Sequence, residues 1–146
     1  MKKTQKTKTE EVKLPEIVVD ASNSILGRLA SFAAKQALLG KKVIIVNCDS
    51  ALLTGRKRMV IGEYGIARRR GSISLNGPHF PKYSDRIMKR TIRGMLSYNQ
   101  GRGLQALKRV VCYPNTPQEY AASKKINIVA HTKGKTMPLS ELSREL

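Results

Sequence analysis

Residues 16–47 read EIVVDASNSILGRLASFAAKQALLGKKVIIVN and predict a strand, a helix and a second strand in succession. The two ends are nearly continuous runs of Val and Ile, typical of strands in a parallel sheet covered on both faces. Between them, apolar residues recur every three or four positions, as on a helix face that packs on a core: Ile25, Leu29, Phe32 and Ala33. This helix is expected to follow a polar cap among residues 22–24 and to end at Gly40.

Shorter elements are predicted downstream of this unit. ALLT (51–54), RVVCY (109–113) and NIV (127–129) are typical of short strands, and PLSELSREL (138–146) predicts a closing helix capped near Ser140. Residues 56–65 predict a helix, and LQALK, which follows Gly103, predicts another. Residues 67–83 lack periodicity and contain two Gly and two Pro, so they predict a long surface loop. The sequence therefore indicates an α/β fold.

Length and composition are those of one folded unit. The chain has 146 residues with 40% hydrophobic content, enough for a core, and we expect a single domain over residues 15–146. Residues 1–14 contain five Lys, two Glu and no aromatic residue, so we expect a disordered basic tail, either a solubilising extension or an arm that orders on RNA. The apolar stretches are too short to cross a bilayer, and no signal peptide is visible. These features predict a soluble, intracellular protein.

Positive charge is concentrated in the middle of the chain. Residues 56–109 hold fourteen Lys and Arg but two acidic residues, Glu63 and Asp85, for a net charge of +12 out of +18 in the whole chain. Like charges at this density oppose the compact state unless an anionic partner neutralises them. The expected partner is a polyanion, and nucleic acid is the obvious one.

A helix is predicted to begin after a cap at Ser84, and its two sides carry different kinds of residue. On a helical wheel, one side carries the cations Arg86, Lys89, Arg90 and Arg93. The opposite side carries the apolar residues Met88, Ile92, Met95 and Leu96. One face is expected to pack on the core while the other meets the partner.

Arginine-rich segments flank this helix on both sides. Arg68, Arg69 and Arg70 are predicted to open the loop before it, and Gly101-Arg102-Gly103 to form a turn after it. A guanidinium grips phosphate oxygens bidentately, which favours nucleic acid over the alternatives of a membrane surface or a merely solvated face. The nearby glycines either let the backbone approach the sugar-phosphate chain or simply form turns.

Catalytic and metal-binding constellations are not recognisable. The two histidines, His79 and His131, lie near no nucleophile motif, and both are interpreted as loop residues that meet solvent or RNA. Cys48 and Cys112 are interpreted as buried free thiols in preference to a disulfide or a metal site. Trp is absent and only seven residues are Phe or Tyr, which argues against recognition by base stacking. We therefore expect no enzyme, cofactor, metal or small-molecule substrate, and contacts dominated by phosphates and shape.

Three blocks in order make the chain recognisable: ILGRLAS (25–31), TGR (54–56) and RTIRGML (90–96). With the RRRG segment and the stretch from residue 78 to residue 117, they resemble the L-thirteen family of large-subunit ribosomal proteins in its archaeal and eukaryotic form. The resemblance covers roughly residues 16–117. Where the family usually has Arg-Pro-Asp and a later proline, this chain has Tyr83-Ser84-Asp85 and Ser97.

The resemblance implies a three-layer α/β/α domain with a four-stranded, mainly parallel sheet and a basic loop-helix extension. It also implies a structural and assembly component of the cytoplasmic large ribosomal subunit, with large-subunit ribosomal RNA and neighbouring ribosomal proteins as partners. The alternative is an RNA-binding regulator outside the ribosome. The residues expected to bind RNA are Arg28, Arg56, Lys57, Arg58, Arg68, Arg69, Arg70, Lys82, Arg86, Lys89, Arg90, Arg93 and Arg102.

Overall fold

The computed structural model describes residues 15–70, 79–128 and 134–146, which form six β-strands and five α-helices. The strands are Glu16–Asp20 (β1), Lys42–Val46 (β2), Leu52–Thr54 (β3), Val110–Cys112 (β4), Lys125–Asn127 (β5) and Thr136–Pro138 (β6). The helices are Leu26–Leu38 (α1), Lys57–Arg69 (α2), Ser84–Gly94 (α3), Gly101–Lys108 (α4) and Leu139–Glu145 (α5). The predicted tail over residues 1–14 and His131 lie outside the described residues.

Four strands form one parallel sheet in the order β4-β2-β1-β5. Val19 of β1 lies opposite Ile45 of β2 on one side and Ile126 of β5 on the other, and Ile45 lies opposite Cys112 of β4. The α/β class with a four-stranded parallel sheet is therefore confirmed. The strand order differs from the chain order because β5 returns to the free edge of β1, on the far side from β2 and β4.

The main core lies between one face of this sheet and the helices. Val19, Ile45 and Val110 are fully buried there together with Leu29 of α1. α1 turns a row of fully buried alanines to the same side: Ala30, Ala33 and Ala37. Because alanine carries only a methyl group, neighbouring helices can approach closely, and α3 and α4 both pack against α1.

The opposite face of the sheet has a thinner cover. Val18, Ile44 and Val46 are buried there and pack against Tyr113 and Tyr120, whose ring centroids are 6.0 Å apart. Tyr120 belongs to a single 3-10 turn. Alternate residues of β1 and β2 thus enter opposite cores, which explains why the central residues of β1 and residues 43–46 of β2 are all apolar.

A small second sheet joins the segment after β2 to the segment before α5. β3 and β6 pair antiparallel, with Leu53 opposite Met137, so the strand predicted at residues 51–54 exists but stays outside the parallel sheet. β6 is not predicted because three residues give no readable alternation. The strand predicted at residues 127–129 is displaced: β5 covers Lys125–Asn127, and Val129 lies outside the described residues.

The predicted helix caps are wrong. Ile25 precedes α1 and Tyr83 precedes α3, and neither side chain makes a capping hydrogen bond. The serines have other partners, because the hydroxyl of Ser22 donates to Asp20 and the hydroxyl of Ser84, the first residue of α3, donates to a carboxylate oxygen of Asp49. The closing helix α5 likewise begins at Leu139, before the predicted cap at Ser140.

The two cysteines are free thiols, and Cys48 is buried while Cys112 is only partly buried. A hydrogen bond with Cys112, together with burial, raises the pKa of the Cys48 thiol. A raised pKa keeps the thiol protonated, and a protonated thiol is a poor nucleophile. The interpretation as buried free thiols is therefore confirmed for Cys48, and Cys112 departs from it in its partial exposure.

Asp20, at the end of β1, organises the turn into α1. Its Oδ1 accepts hydrogen bonds from the backbone N–H of Ser22 (3.0 Å), the Ser22 hydroxyl (2.7 Å) and the side-chain amide of Asn47 (3.0 Å). Burial acts to raise the pKa of this carboxyl, but the hydrogen bonds and the charge of Lys125 outweigh it and lower the pKa below 3.8. Asn47 in turn accepts from the Thr116 hydroxyl at 2.8 Å, so the segments after β1, β2 and β4 are joined.

Replacing Asp20 tests this network. We expect Asp20→Ala to lower the free energy of unfolding by about 2 kcal/mol at neutral pH, because three donors lose a charged acceptor. The folded-state pKa lies below the unfolded value, so the stabilisation is complete above pH 3.8 and is lost as the pH falls through the folded pKa. Urea unfolding from neutral to acid pH should show the difference between wild type and variant shrinking. A difference that stays constant with pH would contradict the account.

Candidate nucleic-acid interface

α3 separates an apolar face from a cationic one. Ile87, Met88 and Ile92 are at most 2% exposed, and the helix packs against α1, β4 and the 3-10 turn Cys48–Ser50. The other side carries Arg86, Lys89, Arg90 and Arg93, here called the α3 cation face; Arg90 is half-buried and the other three are exposed. The predicted division into an apolar core face and a cationic face is present in the folded helix.

The end of α3 differs from the prediction. The helix ends at Gly94, so Met95, expected in the core, turns outward and is 43% exposed. The hydroxyl of Ser31 of α1 lies 3.4 Å from the Met95 sulfur and shares its proton between that sulfur and the carbonyl oxygen of Gly27, 3.0 Å away. Leu96 is buried as predicted, because the chain turns after the helix and carries this side chain back to the core.

Each arginine of the α3 cation face lies beside an aromatic ring. The Cζ of Arg86 is 5.9 Å from the ring centroid of Tyr83, that of Arg93 is 5.3 Å from Tyr98, and that of Arg90 is 3.8 Å from Phe80. These separations are within the range of cation–π attraction. Such contacts restrict the guanidinium groups, which therefore lose less freedom when they bind an anion.

Arg90 is the most constrained of these residues. Its guanidinium stacks on Phe80 and donates a hydrogen bond to the carbonyl oxygen of His79 at 2.8 Å. Phe80 in turn meets Tyr64 of α2 edge to face at 6.2 Å. Burial and the neighbouring charge of Arg93 lower the pKa of Arg90, and burial raises the pKa of Tyr64. Arg90 thus holds the segment before α3 in place and links it to α2.

A cleft of about 460 Å³ opens beside the α3 cation face. Its apolar lining comes from Phe80, Pro81 and Leu107, and its charged lining comes from the four cations of that face. His79 borders it, and its side chain is exposed, in line with the interpretation as a loop residue. Within the described chain, the cleft brings together planar, apolar and cationic groups at one place.

The triple-arginine segment is mostly helical, which corrects the predicted loop. α2 extends to Arg69, past the predicted end at residue 65, and Arg70 follows as its C-cap. The helix tolerates Gly62 and Gly65 because Val60 anchors it in the core and it packs on α5. Residues 79–83 are non-helical as predicted, and residues 71–78 lie outside the described residues.

Lys57 and Arg68, like Arg90, already have partners within the chain. Lys57 forms ion pairs with Glu141 (2.5 Å) and Glu145 (3.6 Å) of α5, and the hydrogen bond to Glu141 raises the pKa of Lys57. Arg68 donates a hydrogen bond to the backbone oxygen of Leu146. The sequence does not reveal these pairs, because their members are separated by about eighty positions in the chain.

The remaining predicted cations are exposed but scattered over several elements. Arg28 lies on α1, which packs against α3, and Lys82 lies just before α3. Arg102 lies in the first turn of α4 rather than in a separate turn, since α4 begins at Gly101. Arg56 and Arg58 flank the start of α2.

The aromatic partners of the arginines were missed by sequence reasoning. A signal existed for Tyr83, which stands three residues before Arg86, a spacing that brings side chains together along a helix. No comparable spacing marks Phe80 or Tyr98, which lie beside α3 through the path of the flanking segments.

Other kinds of site find little support in the described part of the chain. It contains no cluster of three or more His, Cys, Asp or Glu that could hold a metal ion. Its helices are all too short or too polar to cross a membrane. The α3 cation face and its cleft are the candidate site because they gather cations, aromatic rings and apolar groups at one place.

Comparison with known proteins decides the family. Residues 15–119 match the family described as Ribosomal protein L13, and this range includes the sheet strands β1, β2 and β4 and the whole of α3. The chain belongs to the ribosomal protein L13 family. The resemblance carried by residues 25–31, 54–56 and 90–96 is thereby confirmed.

Archaeal relatives agree with this assignment. The chain is 42% identical over 135 residues to the large ribosomal subunit protein uL13 of Methanosarcina barkeri, covering 88% of this chain and 96% of that one. It is 39% identical over 132 residues to the same protein of Methanocaldococcus jannaschii, with the same coverage. The Picrophilus torridus protein is 45% identical over 102 residues, 70% of this chain and 73% of that one. Family membership makes the chain a structural protein of the large subunit of the cytoplasmic ribosome, not an enzyme.

Gly103 fixes the position of α4, and with it Arg102, against the end of α3. A Cβ added to Gly103 would overlap the backbone carbonyl of Ser97, whereas one added to Gly101 would meet nothing within 4 Å. The missing side chain at Gly103 thus serves close packing inside the protein, and the prediction of a simple Gly-Arg-Gly turn is wrong.

These two glycines form a matched pair for mutation. We expect Gly103→Ala to lower the free energy of unfolding by about 2 kcal/mol, since the backbone of residues 97–98 must shift to admit a methyl group. Gly101→Ala should be neutral or stabilise by up to about 1 kcal/mol, because alanine favours the helix. Urea unfolding of both variants provides the measurement, and equal effects at the two positions would refute this packing.

Proposed function

We propose that the chain binds large-subunit ribosomal RNA through the α3 cation face and thereby supports assembly of the subunit. The observation that carries this proposal is the division of α3, in which Met88 and Ile92 are fully buried while the opposite side holds four cations. A helix anchored in this way presents its charges in a fixed pattern. Cations held in a fixed pattern match the phosphates of one RNA shape better than those of another.

The four cations of this face have two different roles in the proposed binding. Arg86, Lys89 and Arg93 are exposed and face outward, and we assign them direct contacts with phosphate oxygens. Arg90 is half-buried against Phe80, so its main contribution is to hold the segment before α3. In this scheme Arg90 adds positive potential to the surface without requiring a phosphate of its own.

The other proposed RNA-binding cations lie outside the α3 cation face. They lie on α1, at both ends of α2, before α3 and at the start of α4: Arg28, Arg56, Arg58, Arg69, Arg70, Lys82 and Arg102. Contacts from separate elements let one protein bridge RNA segments that repel one another. We infer that this bridging, together with contacts to neighbouring ribosomal proteins, is the structural role of the domain formed by residues 15–146.

Lys57 and Arg68 require an exchange of partners before they can bind RNA. Both are exposed, and their bonds to α5 are surface contacts of the kind that contribute little to stability. A phosphate of the RNA backbone carries one negative charge, as a carboxylate does, but successive phosphates stand close together and release condensed counterions when a cation binds, so we propose that RNA displaces these contacts where it reaches α2.

The salt dependence of binding tests the proposal. If about eight cations contact phosphates, the logarithm of the affinity for purified large-subunit ribosomal RNA should fall against the logarithm of salt concentration with a slope of about −6 to −7. Replacing Arg86 and Lys89 by alanine should make this slope shallower by about two units, because two contacts are lost. Filter binding across a salt series gives the slope.

A matched control removes the same charge elsewhere. Lys41 and Lys124 precede β2 and β5, at the opposite ends of the strands from the 3-10 turn that α3 contacts. Lys41→Ala with Lys124→Ala should leave the slope unchanged. A wild-type slope shallower than about −2, or equal losses in the two double variants, would refute the proposed surface.

A further inference from the structure

The cleft beside α3 has an apolar lining as well as a cationic one, whereas a surface that binds only phosphates needs cations alone. Resting on the proposed function, we propose that it receives one unstacked nucleotide of the RNA, with its base against the apolar wall and its phosphate against the cationic rim. The apolar wall is formed by Phe80, Pro81 and Leu107. The rim is formed by the exposed members of the α3 cation face: Arg86, Lys89 and Arg93.

The apolar wall distinguishes a nucleotide from a duplex backbone. A duplex presents phosphates and sugars to a protein, and cations alone satisfy it. A base that has left the stack exposes two flat apolar faces, which aromatic rings and guanidinium planes cover. Phe80 and Arg90 supply one plane of each kind, stacked at 3.8 Å, on the border of the cleft.

The apolar wall is held in place by contacts within the protein itself. Phe80 is held by Arg90 and by the edge-to-face contact with Tyr64, and Arg90 is itself fixed by the hydrogen bond to the backbone of His79. Residues so restrained lose little freedom on binding. The recess therefore has the rigidity expected of a binding site rather than of a gap between mobile side chains.

Size and charge fit a single nucleotide. A volume of about 460 Å³ is within the range of pockets that enclose one small ligand, and far too small for a helix. The described residues that line the cleft include no Asp or Glu, so its potential is positive throughout. An apolar protein side chain would fill the wall but leave the cations of the rim without a counter-charge, which favours the nucleotide.

The aromatic residues of the chain are few, but several of them are concentrated beside α3. Seven aromatic residues are few for a chain of this length, yet three of them stand against arginines of one helix: Phe80, Tyr83 and Tyr98. Stacking at one position is compatible with binding that phosphate contacts dominate elsewhere.

Three RNA hairpins that differ at one position test the proposal. The first has a fully paired stem, the second has one bulged adenosine in the stem, and the third has an abasic ribose in place of that adenosine. Fluorescence anisotropy with the full chain should show about tenfold tighter binding of the bulged adenosine than of the abasic stem, since stacking of one base contributes that much. The abasic and paired stems should bind alike.

Two aromatic substitutions complete the design. Phe80→Ala should abolish the preference for the bulged adenosine, whereas Tyr98→Ala, which removes a ring beside Arg93 but outside the cleft lining, should retain it. Thermal melting checks that both variants fold. If the Phe80→Ala variant does not fold, the comparison of the three hairpins with wild-type protein still tests the nucleotide site. Equal binding of all three would overturn the nucleotide site, leaving the cleft to a protein segment and the proposed function intact. Failure to bind any hairpin would contradict both proposals.

Discussion

Burial of the apolar face of α3 against α1 is the contact on which the candidate interface depends. Met88 and Ile92 are fully buried, and the row of alanines on α1 admits neighbouring helices at short range. This contact sets both the rotation and the position of α3. Since Arg86, Lys89 and Arg93 stand on the same helix, it also sets where these charges stand. A protein with a net charge of +18 thereby offsets the repulsion among its cations with apolar packing behind them.

The cationic surface and the parallel sheet are therefore parts of one arrangement. The sheet gives α1 a flat surface to pack on, α1 supports α3, and α3 positions the segment before it through the stack of Arg90 on Phe80. Phe80 also contacts Tyr64, so α2 is connected to the segment before α3. A change in the core is thus expected to reach the surface through this series of contacts, and the elements that bear the proposed RNA contacts are held by one another.

Features governed by local periodicity could be predicted from the sequence. The strand, helix and strand of residues 16–47 and the two faces of α3 follow from apolar spacing, which survives folding because it reflects burial. The family blocks at residues 25–31, 54–56 and 90–96 led to the correct family. Helix boundaries were less predictable, because Ser22 and Ser84 bond to carboxylates at Asp20 and Asp49 instead of capping their helices.

Features that depend on residues far apart in the chain could not be predicted. The position of β5 beside β1, the ion pairs of Lys57 with α5 and the cleft formed by Phe80 and Leu107 all bring together distant segments. No periodicity encodes such pairings. They decide which of the thirteen predicted cations face outward and which are engaged by the protein itself.

Chemical footprinting of lysines tests the central claim most directly. The claim is that RNA covers the α3 cation face, where Lys89 stands exposed, and the segment just before α3, where Lys82 stands exposed. It does not cover the amino ends of the sheet strands, where Lys124 stands exposed. Acetylation of the protein with and without bound large-subunit ribosomal RNA, read by mass spectrometry, should show Lys82 and Lys89 protected by the RNA and Lys124 equally reactive in both samples. Protection of Lys124 with Lys89 left reactive would contradict the account.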